Sequence, residues 1–419
     1  MIRKLHKILN LIWKKGSVPK QFKDDSIIHL YKQKGNKRVC DNHRGISLLS
    51  VAGKILARVI LNRLNKHLSE LVLPETQCGF RSGRGTIDMV FSLRQLQEKA
   101  KEQKKDMFIV FVDLTKAFDS VCRSALWEVL RKLGVPEKML NVIISFHEGM
   151  KAVVKHDGSI SDPFTVENGT KQGCVLAPLL FALFFSVMLV RAFQGMPEGV
   201  NLEYRSTGGL YNQQRFNAKS KISHQLVRDL LFADDCALVA HSLTDIQCIL
   251  DSFSAAAKDF GLTISIKKTE LVFQSAQRLP GLLTPIVYVD GKPLKTVKAF
   301  SYLGSTITED ATMDKEINKR IQAASTAFGK IYHRLWHTHD VSVKVKADIY
   351  RAVVVTTLLY GAETWTLYRK QIAQLDSFHM RCLREICGVR WQDKIKNSEI
   401  LNKCECSGIE TYLIKAQLI

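Results

Sequence analysis

Three aspartates stand where a folded chain rarely leaves carboxylates unmatched. Asp113 closes the apolar run MFIVFV, and Asp234 and Asp235 lie between the apolar runs LLFA and CALVA. A carboxylate at the end of a buried strand is costly unless it meets a cation or hydrogen-bond donors. Three brought together would repel one another. A hard divalent cation such as magnesium resolves that repulsion, because it takes oxygen ligands from one or two carboxylates and from substrate phosphates. Two such ions held ~3.5–4 Å apart can activate a 3′-hydroxyl and stabilise a leaving pyrophosphate. In phosphoryl transfer, positioning and charge neutralisation do most of the work. The plain alternative is that each aspartate caps a turn and touches solvent. The coincidence of two strand-end sites in one strongly basic chain argues against it.

The elements that must position these residues are legible in outline. MFIVFVDL, from Met107, is short, apolar, β-branched and aromatic, which predicts a buried strand. LTKAFDSVCRSALWEVLRKLGVP continues with helical periodicity and stops at Gly134 and Pro136. KAVVKHDGSISDPFTVENG reads as two strands around an Asp-Gly turn. LLFADDCALVA reads as a hairpin with the carboxylates at its tip. IQCILDSFSAAAKDFG then predicts a helix and LTISI a strand.

Before Met107 the chain alternates helical periodicity with basic loops, broken by Pro74 and by the glycines of QCGFRSGRGT. Gly195 to about Lys221 is polar and glycine-containing, an insertion or loop. After Leu283, IVYVDGKPLKTVKAFSYLGSTI predicts another hairpin, and from Met313 onward the pattern is amphipathic, basic helix. No internal repeat or low-complexity linker is present.

Composition narrows the partners. Lysine and arginine total 61 against 40 acidic residues, a formal net charge of +21 in 419 residues. An excess of that size points to a polyanion, with nucleic acid first, since each neutralised phosphate releases condensed counterions. The ten cysteines are scattered, several within apolar runs, the usage of reduced core thiols and not of a secreted disulfide framework. MIRKLHKILNLIWKKG lacks the continuous apolar stretch of a signal peptide. The apolar run Val175 to Val190 contains Pro178 and falls short of the ~20 residues that span a bilayer, so it reads as a buried core helix.

At this point the residues resemble a known family. FVDLTKAFD, KQGCVLAP, LLFADD and GLTISIKKTE are similar, in that order and spacing, to the palm motifs of LINE-type (non-LTR) retrotransposon reverse transcriptases. NHRGISLLSVAGKILARV and QCGFRSGRGTIDM resemble the fingers motifs of the same family. Together these cover roughly Ile27 to Phe273. KAFSYLGSTI, LLYGAETW and CGVRWQDKI resemble its less diagnostic thumb region.

The resemblance implies an α+β right-hand polymerase. Its parts would be partial, helical fingers over residues 1–105, an antiparallel-sheet palm over 106–280 with the insertion near 195–221, and a helical thumb and C-terminal region over 281–419. It implies an RNA-directed DNA polymerase that uses two magnesium ions, an RNA template, a DNA primer and deoxynucleoside triphosphates, working in the nucleus or cytoplasm without a membrane anchor.

Roles follow position by position as what the resemblance implies. Asp113 and Asp234 would bind both metal ions, with Asp235 assisting. Phe118 stands at the steric-gate position, where a ring would exclude a ribonucleotide's 2′-hydroxyl; a core aromatic at helical spacing is the other reading. Gln172 and Gly173 would lie under the incoming nucleotide and template base, or merely start a helix. Arg81 would clamp the triphosphate with its planar donor fork, or be a surface arginine. Lys268 would donate a proton to the leaving pyrophosphate, or be solvated at a strand end. IYHRLW in the thumb offers aromatic and basic side chains for backbone contact and stacking.

Relatives usually carry more chain before and after, including an apurinic-type endonuclease, so truncation at both ends is expected. YRSTGGLYN, around Thr207, departs from the Asp-Gly turn more usual there. Cys382, Cys387, Cys404 and Cys406 cluster near the C-terminus with His379, but the paired C-x-x-C spacing of a zinc site is missing and buried thiols are the expected reading. Two other functions compete: a nucleic-acid-binding remnant without turnover, and a maturase-like splicing cofactor that shares the palm. LTKAFDSV and GISLLS favour the retrotransposon side.

Overall fold

The structure is a computed structural model that describes residues 2–33, 35–69, 73–204, 223–276, 284–338 and 340–418. It divides into two compact units. One comprises Met1–Thr86, Met107–Leu271 and Gly281–Thr296, the other Ile87–Asp106, Val272–Pro280 and Val297–Ile419.

In the first unit, strands β1 (Asp25–Tyr31) and β2 (His43–Leu48) pair antiparallel with Ile28 opposite Ile46. Strand β3 is Met107–Val112, and every one of its residues is buried. Strands β4 (Lys151–His156), β5 (Ser159–Ile160) and β6 (Phe164–Thr165) follow. β4 runs parallel to β1, with Ile27 opposite Val154, and antiparallel to both β5 and β6, which closes a five-stranded sheet. The turn between β4 and β5 is the expected Asp-Gly pair, with Asp157 at φ +43° and Gly158 at +82°. Two successive positive φ values are what a tight hairpin demands.

The N-terminal region is therefore not purely helical as expected: β1 and β2 are strands. β1 is completed only by β4, far along the chain, so the local basic pattern did not reveal it. Ser50 caps the helix Val51–Leu64 by accepting from the Gly53 amide at 3.1 Å. Gly53 is required there, because a Cβ would meet the Phe22 carbonyl oxygen at 2.4 Å.

β7 (Val200–Tyr204) and β8 (Ser223–Val227) form a two-stranded ribbon. The polar stretch expected to be a loop thus begins with a strand; Thr207 and its neighbours lie outside the described residues. β9 (Asp229–Phe232) and β10 (Asp235–Ala240) make the predicted hairpin.

LTISI is not a strand. Ile264 makes one isolated bridge to Leu114, the chain turns at Ser265–Thr269, and β11 begins at Glu270 and runs to Gln274. The turn is imposed by bonds to the loop after β3: Ser265 N donates to Asp113 O, and Thr115 N to Thr263 O, both at 2.8 Å. Beyond residue 283 there are two hairpins where one was expected. β12 (Tyr288–Val289) pairs with β13 (Lys292–Pro293), β14 (Lys295–Thr296) pairs with β11, and β15 (Ala299–Tyr302) pairs with β16 (Ser305–Thr308). The second sheet runs β14-β11-β3-β10-β9.

Helix Ala177–Phe193 backs this unit's core, with Phe181, Phe184 and Phe185 fully buried. It meets helix Leu243–Asp259 through an edge-on Phe185–Phe253 contact at 6.2 Å. The second helix starts where Ser242 accepts from the Asp245 amide at 3.0 Å, and it buries Ile246, Ile249, Leu250 and Phe253, one face of a helix. No helix among the described residues is long and apolar enough to cross a membrane.

The second unit is mainly helical. Helix Asp314–Lys330 carries a buried ion pair, Glu316 Oε1 to Arg320 Nε at 2.7 Å, and Glu316 Oε2 also accepts from the Thr306 amide at 2.6 Å. Phe328 stacks on Trp336 at 4.8 Å. Trp336 is 2% exposed and donates to the Phe328 carbonyl, so it is a core residue and not the stacking platform expected from IYHRLW. Helix Arg369–Cys387 ends on Gly388 at φ +64°. Nearby, Cys387 and Cys404 bring their sulfurs to 3.2 Å. His379 has both ring nitrogens engaged, with Tyr350 Oη at 2.9 Å and the Ser407 carbonyl at 3.1 Å.

Candidate active site

β3 and β10 are neighbours in register, with Val112 opposite Cys236. One step further along each strand stand Asp113 and Asp235, so the ladder itself brings the two sequence-distant carboxylates to one edge. Asp234 occupies the two-residue turn between β9 and β10, beside Ala233. Burial pushes the Asp234 carboxyl above the usual carboxylate range, Asp113 adds to the rise, and Arg44 and Lys268 oppose it. Asp235 is pushed up to about 6, first by burial, then by the charges of Asp234 and Asp113, with Arg44 again opposing. Solvent reaches the Asp235 side chain, so part of that repulsion is screened. These are the signs of carboxylates crowded without enough positive charge.

Asp113 is held from three directions. Its amide donates to Thr269 Oγ1 at 3.2 Å, its carbonyl accepts from Ser265 N, and its Oδ1 pairs with Lys268 Nζ at 3.1 Å. The turn that replaced the LTISI strand is what delivers Lys268 to Asp113. An all-oxygen donor set with mutual repulsion suits a hard divalent ion. Among the described residues, however, no three carboxylate, imidazole or thiol groups converge closely enough to share one ion, the aspartates included. The Lys268–Asp113 ion pair occupies part of that donor set.

The remaining expected residues are placed around this edge or apart from it. Phe118 is half-buried and packs in a tilted contact against Phe181, ring centroids 4.6 Å apart, while its carbonyl accepts from the Thr170 amide at 2.7 Å. Gln172 anchors the loop before helix Ala177–Phe193 to β2, its carbonyl accepting from Ser47 N at 2.8 Å. Gly173, at φ +106°, lies so close to β2 that a Cβ would meet Ser47 O at 2.7 Å. Arg81 is engaged by Glu75 at 3.0 Å and by the Pro74 carbonyl at 3.3 Å, and Arg84 takes the other Glu75 oxygen at 2.7 Å.

Two residues escaped the sequence reading. Arg44 lies near enough to Asp234 and Asp235 to pull both carboxyls down; the only sequence signal was a cation within NHRGIS. Gln77 is fully buried against the aspartate turn. Its Oε1 accepts from the amides of Gly79 (2.8 Å) and Ala233 (3.0 Å), and its Nε2 donates to Ala233 O at 3.4 Å. An uncharged polar residue beside Cys78 offered no sign of that role.

The sheet is mixed, with β14 parallel to β11, but its β3–β10–β9 part is antiparallel and carries aspartates on adjacent strand ends faced by basic side chains, the arrangement of a polymerase palm. The model of the family described as "Reverse transcriptase (RNA-dependent DNA polymerase)" matches residues 31–307, and the chain belongs to that family. Among curated proteins, it is 27% identical over 401 residues to the RNA-directed DNA polymerase from mobile element jockey of Drosophila melanogaster. That match covers 94% of this chain and 40% of the relative. The jockey polymerase of Drosophila funebris is 28% identical, again over 94% of this chain and 40% of its own length. The chain thus spans about 40% of the length of these mobile-element relatives. Among solved structures, a Candida tropicalis telomerase in complex with an RNA fragment aligns at TM-score 0.43 and 14% identity, over 99% of this chain and 64% of that one. The resemblance to retrotransposon polymerases drawn from the motifs stands, and so does the right-hand polymerase fold class.

Proposed function

We propose that this chain is the polymerase part of a non-LTR retrotransposon protein, extending a DNA 3′ end with deoxynucleotides on an RNA template. The observation that carries the reading is the meeting of Asp113, Asp234 and Asp235 at one sheet edge inside a +21 chain of the reverse transcriptase family. Asp113 and Asp234 would hold the metal ions, with Asp235 in support, once Lys268 gives up its ion pair with Asp113. Magnesium held there would supply charge neutralisation at the attacking 3′-oxygen and at the pyrophosphate. The 3′-oxygen forms its bond to the α-phosphorus as the bond to the pyrophosphate oxygen breaks.

Lys268 releases Asp113 and gives the departing oxygen its proton. Arg81 exchanges Glu75 for the triphosphate, a swap of one planar carboxylate for another anion with matching geometry. Phe118 excludes the 2′-hydroxyl, and Gln172 and Gly173 support the nascent base pair. Residues 1–105, 106–280 and 281–419 serve as fingers, palm and thumb. The family's use of chromosomal DNA supports work in the nucleus, with the cytoplasm as the alternative location.

The Lys268–Asp113 ion pair favours one competing reading, a chain that binds nucleic acid without turnover. Primer extension on an RNA template, with magnesium and deoxynucleotides, separates the two. Extension by the chain and its loss in Asp234→Ala, with RNA–DNA hybrid binding retained, is the expected result. Hybrid binding with no extension by either protein selects the binding-only reading, and equal extension by both removes the metal assignment.

A further inference from the structure

The turn that carries Asp234 has an unusual backbone. Ala233 adopts φ +58°, a conformation that a residue with a Cβ holds only where its surroundings enforce it. The enforcement comes from outside the hairpin. Thr76 O accepts from Leu231 N at 2.9 Å, and Cys78 N donates to Leu231 O at 3.0 Å, so residues 76–78 lie against β9 as a short parallel rung. From this rung the Gln77 side chain reaches the turn and ties both polar backbone groups of Ala233, its amide through Oε1 and its carbonyl through Nε2.

The same Oε1 takes the Gly79 amide, and Gly79 leaves no room for a side chain, since a Cβ there would sit 2.2 Å from Ala233 N. Thr76 adds an anchor at the far end of the strand, donating to Asp229 Oδ2 at 2.8 Å. An uncharged side chain with one acceptor and one donor on the same carbon fits this task. Glutamate would keep the acceptor but lose the donor and add charge beside two crowded aspartates.

We infer that Gln77 is a positioning residue for the aspartate hairpin: its amide fixes the Ala233 backbone, and through it the directions of Asp234 and Asp235. Fully buried, it acts on the aspartates through the turn backbone. Its segment continues directly into Arg81 and Arg84, so the hairpin and the proposed triphosphate clamp hang on one short stretch of backbone. The catalytic side of this inference rests on the polymerase reading; the mechanical side does not.

The test compares the chain with Gln77→Met, which keeps the volume and removes the hydrogen bonds, and Gln77→Glu, which keeps the acceptor. Amide hydrogen exchange in the peptide spanning residues 229–240 reads the clamp without any activity. Faster exchange at the turn by tenfold or more in Gln77→Met, with protection largely kept in Gln77→Glu and the other core peptides unchanged, is expected. Unchanged exchange in Gln77→Met overturns the inference whatever the enzyme does. Primer extension reads the consequence. The expected result is a kcat lowered at least tenfold in Gln77→Met, with nucleotide KM and hybrid affinity within twofold of the unaltered chain. Faster exchange with an unchanged kcat overturns the positioning role. A parallel loss of hybrid binding and of protection throughout the chain marks a general folding role and overturns it as well. If the unaltered chain fails to extend any primer, the polymerase reading falls, while the exchange measurement still decides whether Gln77 holds the turn.

Discussion

At the scale of single residues, the chemistry was written into residue type and placement. Asp113, Asp234 and Asp235 could be singled out because carboxylates interrupt otherwise apolar runs, where they carry a cost that only function or compensation justifies. Gln77 and Arg44 could not, because a glutamine in a glycine-rich stretch and an arginine in a basic one cost nothing until their neighbours are known. Phe118 shows both of its possible natures, half-buried and packed at a tilt against Phe181. Replacing it with valine should raise ribonucleotide incorporation relative to deoxynucleotide, measured by single-nucleotide extension; unchanged sugar discrimination would leave it a packing residue.

His147 offers a pH signature. It is fully buried, its Nδ1 donates to the Ile143 carbonyl at 2.8 Å, and burial followed by the nearby Lys171 charge holds its pKa down at about 3. The unfolded imidazole titrates near ~6.5. Between those values the unfolded chain binds a proton that the native chain refuses. Stability from this group is therefore whole above the unfolded value and falls as the pH drops toward 3, by at most ~1.4 kcal/mol per unit. Urea midpoints taken from pH 7 to 4 should fall less steeply in a His147→Gln variant than in the parent.

At the scale of elements, patterns whose evidence is local were readable and those whose evidence is distant were not. The β3 strand, the aspartate hairpin, the Asp157-Gly158 turn and the helix Leu243–Asp259 each carry their signal within a dozen residues. LTISI has the composition of a strand, yet its backbone is claimed by the loop after β3, and competition of that kind is invisible from composition. β1 and β2 sit in a basic stretch that reads as helix and loop, and β1 is completed by a strand from a different part of the chain.

Helix Asp314–Lys330 supports a prediction at this scale. Glu316 is fully buried and is matched by Arg320 and by the Thr306 amide. Glu316→Ala leaves the buried Arg320 guanidinium without its carboxylate, with the Gly304 carbonyl and the Tyr360 ring face remaining, and should cost ~3 kcal/mol. A denaturant-midpoint shift worth under ~1 kcal/mol would instead equate it with an exposed pair.

At the scale of the whole molecule, the charge of +21 makes a claim about partners that no single contact makes. Affinity for RNA–DNA hybrid should fall along a straight line in log–log salt titration, with a slope near −0.7 to −0.9 per neutralised phosphate. A flat response would assign the charge to some other purpose. The strand pairing also sets a timetable for synthesis. Asp24 and Lys151, joined by a hydrogen bond at the start of the parallel β1–β4 pair, are separated by 127 residues. A ribosome adding ~5–20 residues per second needs roughly 6–25 s to cover that distance. Throughout that interval one edge of β1 waits without its mate, the kind of open strand edge that recruits other chains. That open edge, and not the later carboxylate hairpin, is where association of unfinished chains would begin.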